Sequence, residues 1–243
     1  MNTPLQLPLG VRWLRAPDFS TFAPDDNAET VAALRDTAAG NGPSSFVHGA
    51  SGRGKTHLLQ AVARLAHGRG LRSAYLPLSL GVDAVPGYED FELVCIDAAE
   101  ATAGDPALAL ALLRLMDALT DRAHHFIIAS QLGLDGLHRG IRDDLYTRLA
   151  ACSVHALKPL SDGGLRDALQ RQAHARGLAL QPTVADYLVR HLPRDAGTLV
   201  ATLDGLDQAS LSAAHRVTIP FIRAWLARQT GVPGRSSAQT GSD

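Results

Sequence analysis

The most informative segment of this sequence is Gly49-Ala50-Ser51-Gly52-Arg53-Gly54-Lys55-Thr56. It fits the pattern G-x-x-x-x-G-K-[ST] of a phosphate-binding loop, or P-loop, and residues 49–56 are called the P-loop below. Glycines let the backbone of such a loop turn tightly, so that its N–H groups surround phosphate oxygens. Lys55 is expected to reach the β- and γ-phosphates of a nucleotide, and the Thr56 hydroxyl is expected to hold Mg²⁺. The residues of this segment that we predict to bind the nucleotide are Gly49, Ser51, Gly52, Gly54, Lys55, Thr56 and His57.

The sequence on both sides of this loop favours the same interpretation. A short apolar run, 45–47, precedes the loop, and a helical pattern of apolar residues (58, 59, 62, 65 and 66) follows it. Strand, glycine loop and helix is the order that phosphate binding requires, because the helix then points its positive end at the anion. A glycine-rich turn followed by a coincidental Lys-Thr pair is the alternative, and it does not predict these flanks. The chain therefore binds a nucleotide or descends from one that did.

Composition limits the classes of protein that the chain can represent. Its 243 residues suffice for one large domain or two small ones, and 46% hydrophobic with 19% charged residues are ordinary globular values. The net charge of −1 gives no overall attraction to nucleic acid or to an anionic membrane. Cys95 and Cys152 lie in apolar runs that predict strands, so we expect buried free thiols rather than a disulfide or a metal site. No signal peptide or membrane span is recognisable, and we expect a soluble cytoplasmic protein.

A second indication of nucleotide binding is an acidic residue, Asp97, at the end of the predicted buried strand 91–97. Ligands of parallel α/β sheets lie at the carboxyl ends of the strands, so Asp97 is expected near Mg²⁺, in the Walker B position. A simple turn aspartate is the alternative. Active ATPases usually place a second acid next, but here the next residue is Ala98, and the nearest carboxylate is Glu100. Hydrolysis by this chain itself is therefore doubtful. Gln131, at the end of a later predicted strand, is expected near the γ-phosphate.

Strands and helices alternate as far as residue 157, which predicts an α/β fold with a doubly wound parallel sheet. The pattern also predicts a helix that begins at a cap formed by Asn27, and a charged helix over 139–149. After residue 158 the strand signals stop, and three or four helices are predicted at about 161–176, 182–192, 195–213 and 218–229. We expect them to form a small all-α lid.

We therefore divide the chain into four parts. An N-terminal arm occupies 1–24, a P-loop α/β domain 25–157, a helical lid 158–230, and a tail that we expect to be disordered 231–243. The arm contains Gln6-Leu7-Pro8-Leu9, which is apolar and lies outside any periodic element. It is either an N-terminal strand on the core or a linear peptide for a hydrophobic cleft on a partner.

A P-loop α/β domain followed by a small helical lid is typical of the AAA+ class, and several segments resemble the Hda family of DnaA-related AAA+ proteins. These segments are 6–12, 56–61, 75–78, 93–97, 103–105, 159–162, 206–211 and 217–221. The resemblance extends from residue 5 to about 229. The sequence shows no counterpart of the helix-turn-helix DNA-binding domain of DnaA after the lid, and we therefore expect a chain that resembles the Hda family rather than DnaA itself.

The resemblance implies a regulator of replication initiation that binds ADP (or ATP) with Mg²⁺, docks on the DNA-loaded β sliding clamp and promotes hydrolysis of the ATP held by DnaA. It makes Gln6, Leu7, Pro8 and Leu9 the clamp-binding peptide. Self-association is possible, direct contact with DNA is expected to be weak or absent, and no membrane is involved. An independent DnaC-like ATPase and a clamp-tethered adaptor with a vestigial nucleotide site are the alternatives.

The resemblance also assigns three further positions. Arg148 falls where the family carries its arginine finger, a guanidinium inserted in trans to stabilise charge on a transferring phosphoryl group. From position alone, Arg148 is a surface residue that pairs with Asp143 or Asp144. The lid arginine that senses phosphate aligns with Gly197, and Arg194 lies near enough in sequence to substitute for it. The sensor position at the end of the fourth strand is Gln131, which offers only hydrogen bonding. Gly197 and Gln131 at these two positions, together with Ala98, predict a nucleotide that is held rather than turned over.

Overall fold

A five-stranded parallel sheet forms the first part of the chain in the computed structural model, which describes residues 17–213 and 217–229, with the backbone alone for 211–213. The strand order is β2-β3-β4-β1-β5, and every neighbouring pair is parallel. The strands are β1 (Ser45–His48), β2 (Ser73–Pro77), β3 (Leu93–Asp97), β4 (His125–Ser130) and β5 (Ser153–Ala156). The predicted parallel sheet is confirmed.

The central strands are the most apolar ones, because helices cover both faces of a parallel sheet. All five residues of β3 are buried, and so are five of the six residues of β4. β2 ends at Pro77 and lies at the edge of the sheet, where a proline without an N–H group does not interrupt a ladder. β3 begins at Leu93 and not, as predicted, at Phe91. Cys95 is buried in β3, whereas Cys152 precedes β5 and is half-buried; both are free thiols.

Helices pack on the two faces of the sheet and form two hydrophobic clusters. One cluster joins the sheet to α1 and α2 and includes Leu34, Leu58 and Val62. The other joins it to α3 and α5 and includes Leu112 and Leu145. The helices of this part are α1 (Ala28–Ala38), α2 (Lys55–Gly68), α3 (Pro106–Asp121), α4 (Leu134–His138) and α5 (Asp143–Ala150).

The lid is all-α, as predicted, and has its own hydrophobic cluster. Its helices are α6 (Asp162–Ala175), α7 (Pro182–His191), α8 (Ala196–Ala213) and α9 (Ile219–Gln229). The hydroxyl of Ser161 accepts a hydrogen bond of 3.0 Å from the Gly164 N–H and so caps α6, and Pro182 is the first residue of α7. In the described segments, no helix is both long and apolar enough to cross a membrane.

Two details of the predicted helices are wrong. The predicted charged helix over 139–149 is interrupted, and α5 begins only at Asp143. The Gly140 carbonyl accepts a hydrogen bond of 3.1 Å from the Gly104 N–H, and a Cβ on Gly140 would lie only 2.9 Å from the Cβ of Ala103. This close approach takes the backbone out of helical geometry, and Arg142 is extended.

Asn27 precedes α1, but its side chain does not cap the helix. Its Nδ2 donates to the Lys158 carbonyl over 3.2 Å, and its Oδ1 accepts from the Lys158 N–H over 2.8 Å. Beside it, the Asp25 carboxylate accepts from the Ser161 N–H over 2.6 Å. The segment that precedes α1 therefore holds the peptide that connects β5 to the lid.

Replacing Asn27 with Ala should lower the free energy of unfolding by about 1–3 kcal/mol, because the backbone N–H and the carbonyl of Lys158 then both lose the side chain that pairs with them. Equilibrium denaturation measures the change. Asp26→Ala, at the exposed neighbouring position, is the control and should leave the midpoint nearly unchanged. Equal midpoints for the two variants would contradict a bridging role for Asn27.

Candidate nucleotide-binding site

A pocket of about 400 Å³ lies between the P-loop, the carboxyl edge of the sheet and the lid. The structure brings most of the predicted nucleotide-binding residues into its wall, and these are Ser51, Gly52, Gly54, Lys55, Thr56, His57, Asp97 and Gln131. Gly49 lies at the start of the loop, outside this wall. Among the described residues, the carboxylates that line the pocket belong to Asp97 and Glu100.

The P-loop adopts the turn that its glycines permit. Gly52 and Gly54 have φ angles of +77° and +87°, in the left-handed region that other residues rarely occupy. Lys55 is the first residue of α2, and its side chain is folded into the loop. Its Nζ donates to the carbonyls of Gly49 and Ala50 over 2.6 and 3.0 Å. Burial lowers the pKa of Lys55, while the nearby negative charges of Glu100 and Asp97 raise it.

Asp97 is the centre of a hydrogen-bond cluster at the end of β3. Its Oδ2 accepts from the Thr56 hydroxyl over 2.6 Å and from the Tyr75 hydroxyl over 2.8 Å, and its Oδ1 accepts from the Ala98 N–H over 2.9 Å. Burial, together with Asp97, raises the pKa of Tyr75. A hydroxyl and a carboxylate at this separation fit Mg²⁺, which prefers oxygen ligands and usually keeps several waters.

Tyr75 was not predicted as part of the site. Its hydroxyl reaches Asp97 because β2 and β3 pair in parallel, with Pro77 opposite Asp97 and Tyr75 two residues earlier. The signal that was available is the predicted parallel order of the strands. A tyrosine near the carboxyl end of the neighbouring strand points to the same edge of the sheet.

Ala98 occupies the position where active ATPases place a second acid. Its backbone is left-handed, with φ +62° and ψ +47°, and its side chain is only a methyl group. Glu100 follows in a short 3-10 turn, and its carboxylate accepts a hydrogen bond of 2.9 Å from the Gln131 N–H. The carboxylate of Glu100, which follows the position of the absent second acid, therefore binds the backbone at the end of β4.

His57 lines the pocket and also fastens the segment that precedes α1. Its Nε2 lies 3.0 Å from the Asp18 carbonyl and 3.2 Å from the Thr21 hydroxyl, and its ring packs against Phe22 with 5.6 Å between centroids. A Cβ on Gly54 would lie 2.8 Å from the Phe22 ring. The glycine thus allows the segment that carries Phe22 to lie directly against the phosphate-binding loop.

The lid approaches the P-loop through Gly197 and Asp195. The Asp195 carboxylate caps α8 by accepting from the N–H groups of Gly197 and Thr198 over 3.1 and 3.0 Å. The same carboxylate occupies the space that a Cβ on Gly52 would need. Asp195 was missed by the sequence analysis, because nothing in the lid sequence indicates which residue faces the loop.

Arg194 is not brought to the pocket. Its side chain is 71% exposed, its Nη2 lies 3.3 Å from the Asp162 carboxylate, and it lines a small neighbouring crevice. The structure therefore does not support Arg194 as a substitute for the sensing arginine. The aligned position, Gly197, does line the pocket, but it has no side chain.

Arg148 lies in the last turn of α5, on the outer surface and outside the wall of this pocket. Its guanidinium is 52% exposed and its Nη2 lies 2.8 Å from the Asp117 carboxylate of α3. The partners expected from position alone are engaged elsewhere: Asp144 binds Arg142, and Asp143 lies 4.0 Å from His138. The predicted peptide 6–9 and the tail 231–243 lie outside the described residues.

Comparison with known proteins agrees with this architecture. Residues 162–226 match the family described as the Hda lid domain. Domain III of the Thermotoga maritima replication initiation protein DnaA is similar in structure, with a TM-score of 0.77, 19% identity, and coverage of 87% of this chain and 95% of that chain. AMPPCP-bound DnaA from Aquifex aeolicus is also similar in structure, with a TM-score of 0.68, 18% identity, and coverage of 84% of this chain and 66% of that chain.

A more distant AAA+ protein has the same fold. The RuvB Holliday junction branch migration motor of Thermotoga maritima gives a TM-score of 0.67 at 12% identity, covering 89% of this chain and 73% of that chain. The AAA+ fold with a helical lid is therefore confirmed, and the resemblance to the Hda family is confirmed for residues 162–226, which form the lid.

The environment of His57 predicts a pH dependence of stability. Burial lowers the pKa of His57 below its ordinary value of about 6.5, and this outweighs Asp18, which raises it, while Arg176 lowers it further. The unfolded chain then binds more protons here than the folded one, so stability falls as the pH drops below about 6.5.

Between pH 7 and 5, the free energy of unfolding of His57→Gln should therefore fall less steeply than that of the wild type. Urea denaturation at several pH values measures both slopes. His67→Gln, at the exposed end of the same helix, should keep the wild-type slope. If His57→Gln also kept the wild-type slope, the buried neutral imidazole of His57 would not be the cause of the loss of stability at low pH.

Proposed function

We propose that this DnaA-related AAA+ protein with an Hda-type lid regulates the initiation of DNA replication by acting on DnaA. It binds ADP (or ATP) with Mg²⁺, docks its arm on the DNA-loaded β sliding clamp, and promotes hydrolysis of the ATP that DnaA holds. One observation carries the proposal. The pocket has a full set of groups for holding a nucleotide but not for activating water, whereas Arg148 is exposed on the surface of α5, outside the wall of that pocket.

Nucleotide holding is assigned to the P-loop and to the end of β3. Backbone N–H groups of the loop and the Lys55 ammonium would neutralise the phosphates, and Thr56 and Asp97 would hold Mg²⁺, which would supply further positive charge to the phosphates. The AMPPCP complex of the Aquifex aeolicus DnaA, which has the same fold, supports a nucleotide in this pocket. Gln131 offers hydrogen bonding alone at its position.

Slow turnover in this pocket follows from what surrounds the phosphates. An attacking water needs a group that orients it and accepts its proton, and Ala98 has none. Glu100 is bound to the backbone of Gln131. The lid contributes a glycine, Gly197, in place of a charged side chain. The nucleotide is thus a structural element that keeps the lid closed on the P-loop.

Arg148 is assigned the catalytic role, in the active site of DnaA. A guanidinium placed at the γ-phosphate of a neighbouring subunit stabilises the charge that develops during phosphoryl transfer. In the described part of the chain, the carboxylate within 4 Å of this guanidinium is that of Asp117, and about half of the side chain remains accessible. An exposed ion pair of this kind is weak, so Arg148 can exchange it for a phosphate.

Two other functions are separable from this one. An independent ATPase of the DnaC-like kind would hydrolyse ATP in isolation, and Lys55→Ala would abolish that activity. A pure adaptor would bind the clamp but retain no nucleotide.

The decisive measurement is ATP hydrolysis by DnaA with clamp-loaded DNA, with this protein added as wild type or as Arg148→Ala. We expect the wild type to accelerate hydrolysis and the variant to lose the acceleration by on the order of 10³-fold, the lower end for arginine fingers. The matched control is Arg166→Ala in the lid, an arginine with similar exposure that is also paired with an aspartate.

Three results would count against the assignment. Equal losses in Arg148→Ala and Arg166→Ala would indicate a general charge effect. An unchanged rate with the wild type, while clamp binding persists, would favour the adaptor. Hydrolysis by the isolated protein at a comparable rate would favour the independent ATPase.

The arm is tested separately, because the peptide that we assign to the clamp lies outside the described residues. Replacing Gln6 and Leu7 with Ala should weaken clamp binding by at least about tenfold, since both the polar anchor and an apolar plug are removed. Surface plasmon resonance on immobilised clamp measures it. Asn2→Ala with Thr3→Ala, in the same arm, should bind normally. Equal affinity of both double variants would rule out the peptide.

A further inference from the structure

Gln172 is a buried polar residue in the wall of the pocket that the proposed mechanism does not use. It belongs to α6 of the lid and is 8% exposed. It is part of a continuous hydrogen-bond chain that runs from Asp204 through Arg176 and Gln172 to Thr21. Thr21 lies in the segment before α1, so this chain connects the lid to the opposite wall of the pocket.

The chain fixes which end of the Gln172 amide faces the pocket. Arg176 is buried, and its Nε and Nη2 lie 2.8 and 2.7 Å from Asp204 Oδ1. Its Nη1 donates to both the backbone carbonyl and the Oε1 of Gln172, over 2.7 and 2.5 Å. A guanidinium has donors only, so Oε1 must face Arg176. On the other side, Nε2 donates to the Thr21 carbonyl over 3.2 Å. Both neighbours therefore require the same amide orientation.

This orientation leaves a hydrogen-bond donor in the pocket. The Nε2 group carries two hydrogens, and among the described residues the Thr21 carbonyl is the acceptor that it meets. One of these hydrogens is used by Thr21, so a ligand atom that accepts the other one gains a hydrogen bond in a largely buried site. The surrounding wall is apolar and suits a flat ring; it is formed by Phe22, Ala23, Leu160, Ala168, Ala196 and Val200.

We infer that Gln172 determines base specificity by donating a hydrogen bond from Nε2 to a ring nitrogen of a purine nucleotide. The P-loop recognises the phosphates, which all nucleotides share, whereas Gln172 distinguishes bases by the acceptor that they offer. Arg176 is a positioning residue, because it holds the amide in the donating orientation. The inference rests on the proposed function only in requiring that a nucleotide occupies this pocket.

The test uses the full chain and isothermal titration with ADP and with its 1-deaza, 3-deaza and 7-deaza analogues, each of which replaces one ring nitrogen by C–H. For the wild type, at least one analogue should bind about tenfold more weakly than ADP, as expected for one lost hydrogen bond. In Gln172→Met, which keeps the volume but has no donor, ADP itself should weaken about tenfold, and the penalty of that analogue should disappear.

Two further variants separate recognition from loss of structure. Gln172→Glu keeps a partner for Arg176 but has no donor when ionised, so it should lose the same discrimination as Gln172→Met. Gln170→Met, on the exposed side of α6, should keep the wild-type pattern. Thermal unfolding of each variant shows whether the lid remains folded; Arg176 retains Asp204 and the backbone carbonyl of residue 172 in all of them.

The outcomes distinguish this inference from the function on which it rests. If the wild type binds ADP and the deaza penalties are the same in wild type and Gln172→Met, the inference is wrong, and nucleotide binding stands. If the wild type binds none of the four nucleotides, the proposed holding of a nucleotide is wrong as well, and the inference falls with it.

Discussion

The site depends on the parallel pairing of β1 with both β4 and β5. This pairing puts the carboxyl end of β1 between two neighbours, at the point of an open α/β sheet where a crevice forms. The backbone confirms how tightly the ends are joined, since the Gly49 N–H donates to the Ser130 carbonyl over 3.2 Å and the Leu157 N–H donates to the His48 carbonyl over 2.7 Å. These backbone hydrogen bonds hold the P-loop next to the end of β4 and next to the connection to the lid, independently of any side chain.

The second constraint is that the lid is attached at several points and not only through its connecting peptide. Arg171 and Gln172 of α6 bind the carbonyls of Ser20 and Thr21, while Asn27 holds Lys158. His57, in the P-loop helix, contacts the same segment. A short piece of chain thus bonds simultaneously to α2, the helix that follows the P-loop, and to α6, the lid helix that contains Gln172. This segment therefore connects the P-loop helix and the lid through direct hydrogen bonds.

The sequence predicts those parts of the site whose residues are contiguous in the chain, and it does not predict residues that distant elements contribute. The loop residues and Asp97 were recognisable because their pattern and flanking strands are contiguous, and the alternation of elements sufficed for the parallel sheet. Tyr75, Asp195 and Gln172 were not, because each belongs to an element that is distant from the P-loop in sequence. The pairing of β2 with β3 brings Tyr75 to Asp97, whereas the packing of the lid brings Asp195 against Gly52 and Gln172 into the pocket wall. The sequence context of Asn27 predicts a helix cap. A distant peptide group, that of Lys158, competes for the same side chain.

Cys95 lies in the inner strand β3, two residues before Asp97, and is completely buried. Burial raises the pKa of its thiol, so the reactive thiolate is suppressed as long as the sheet is intact. Alkylation of this sulfur therefore requires the strand to open, and the rate of alkylation reports how often it does. Any ligand that binds only the folded pocket must slow that rate, in proportion to its affinity and concentration. The alkylation rate of Cys95 therefore reports how much of the pocket is occupied, and its measurement requires no label on the ligand.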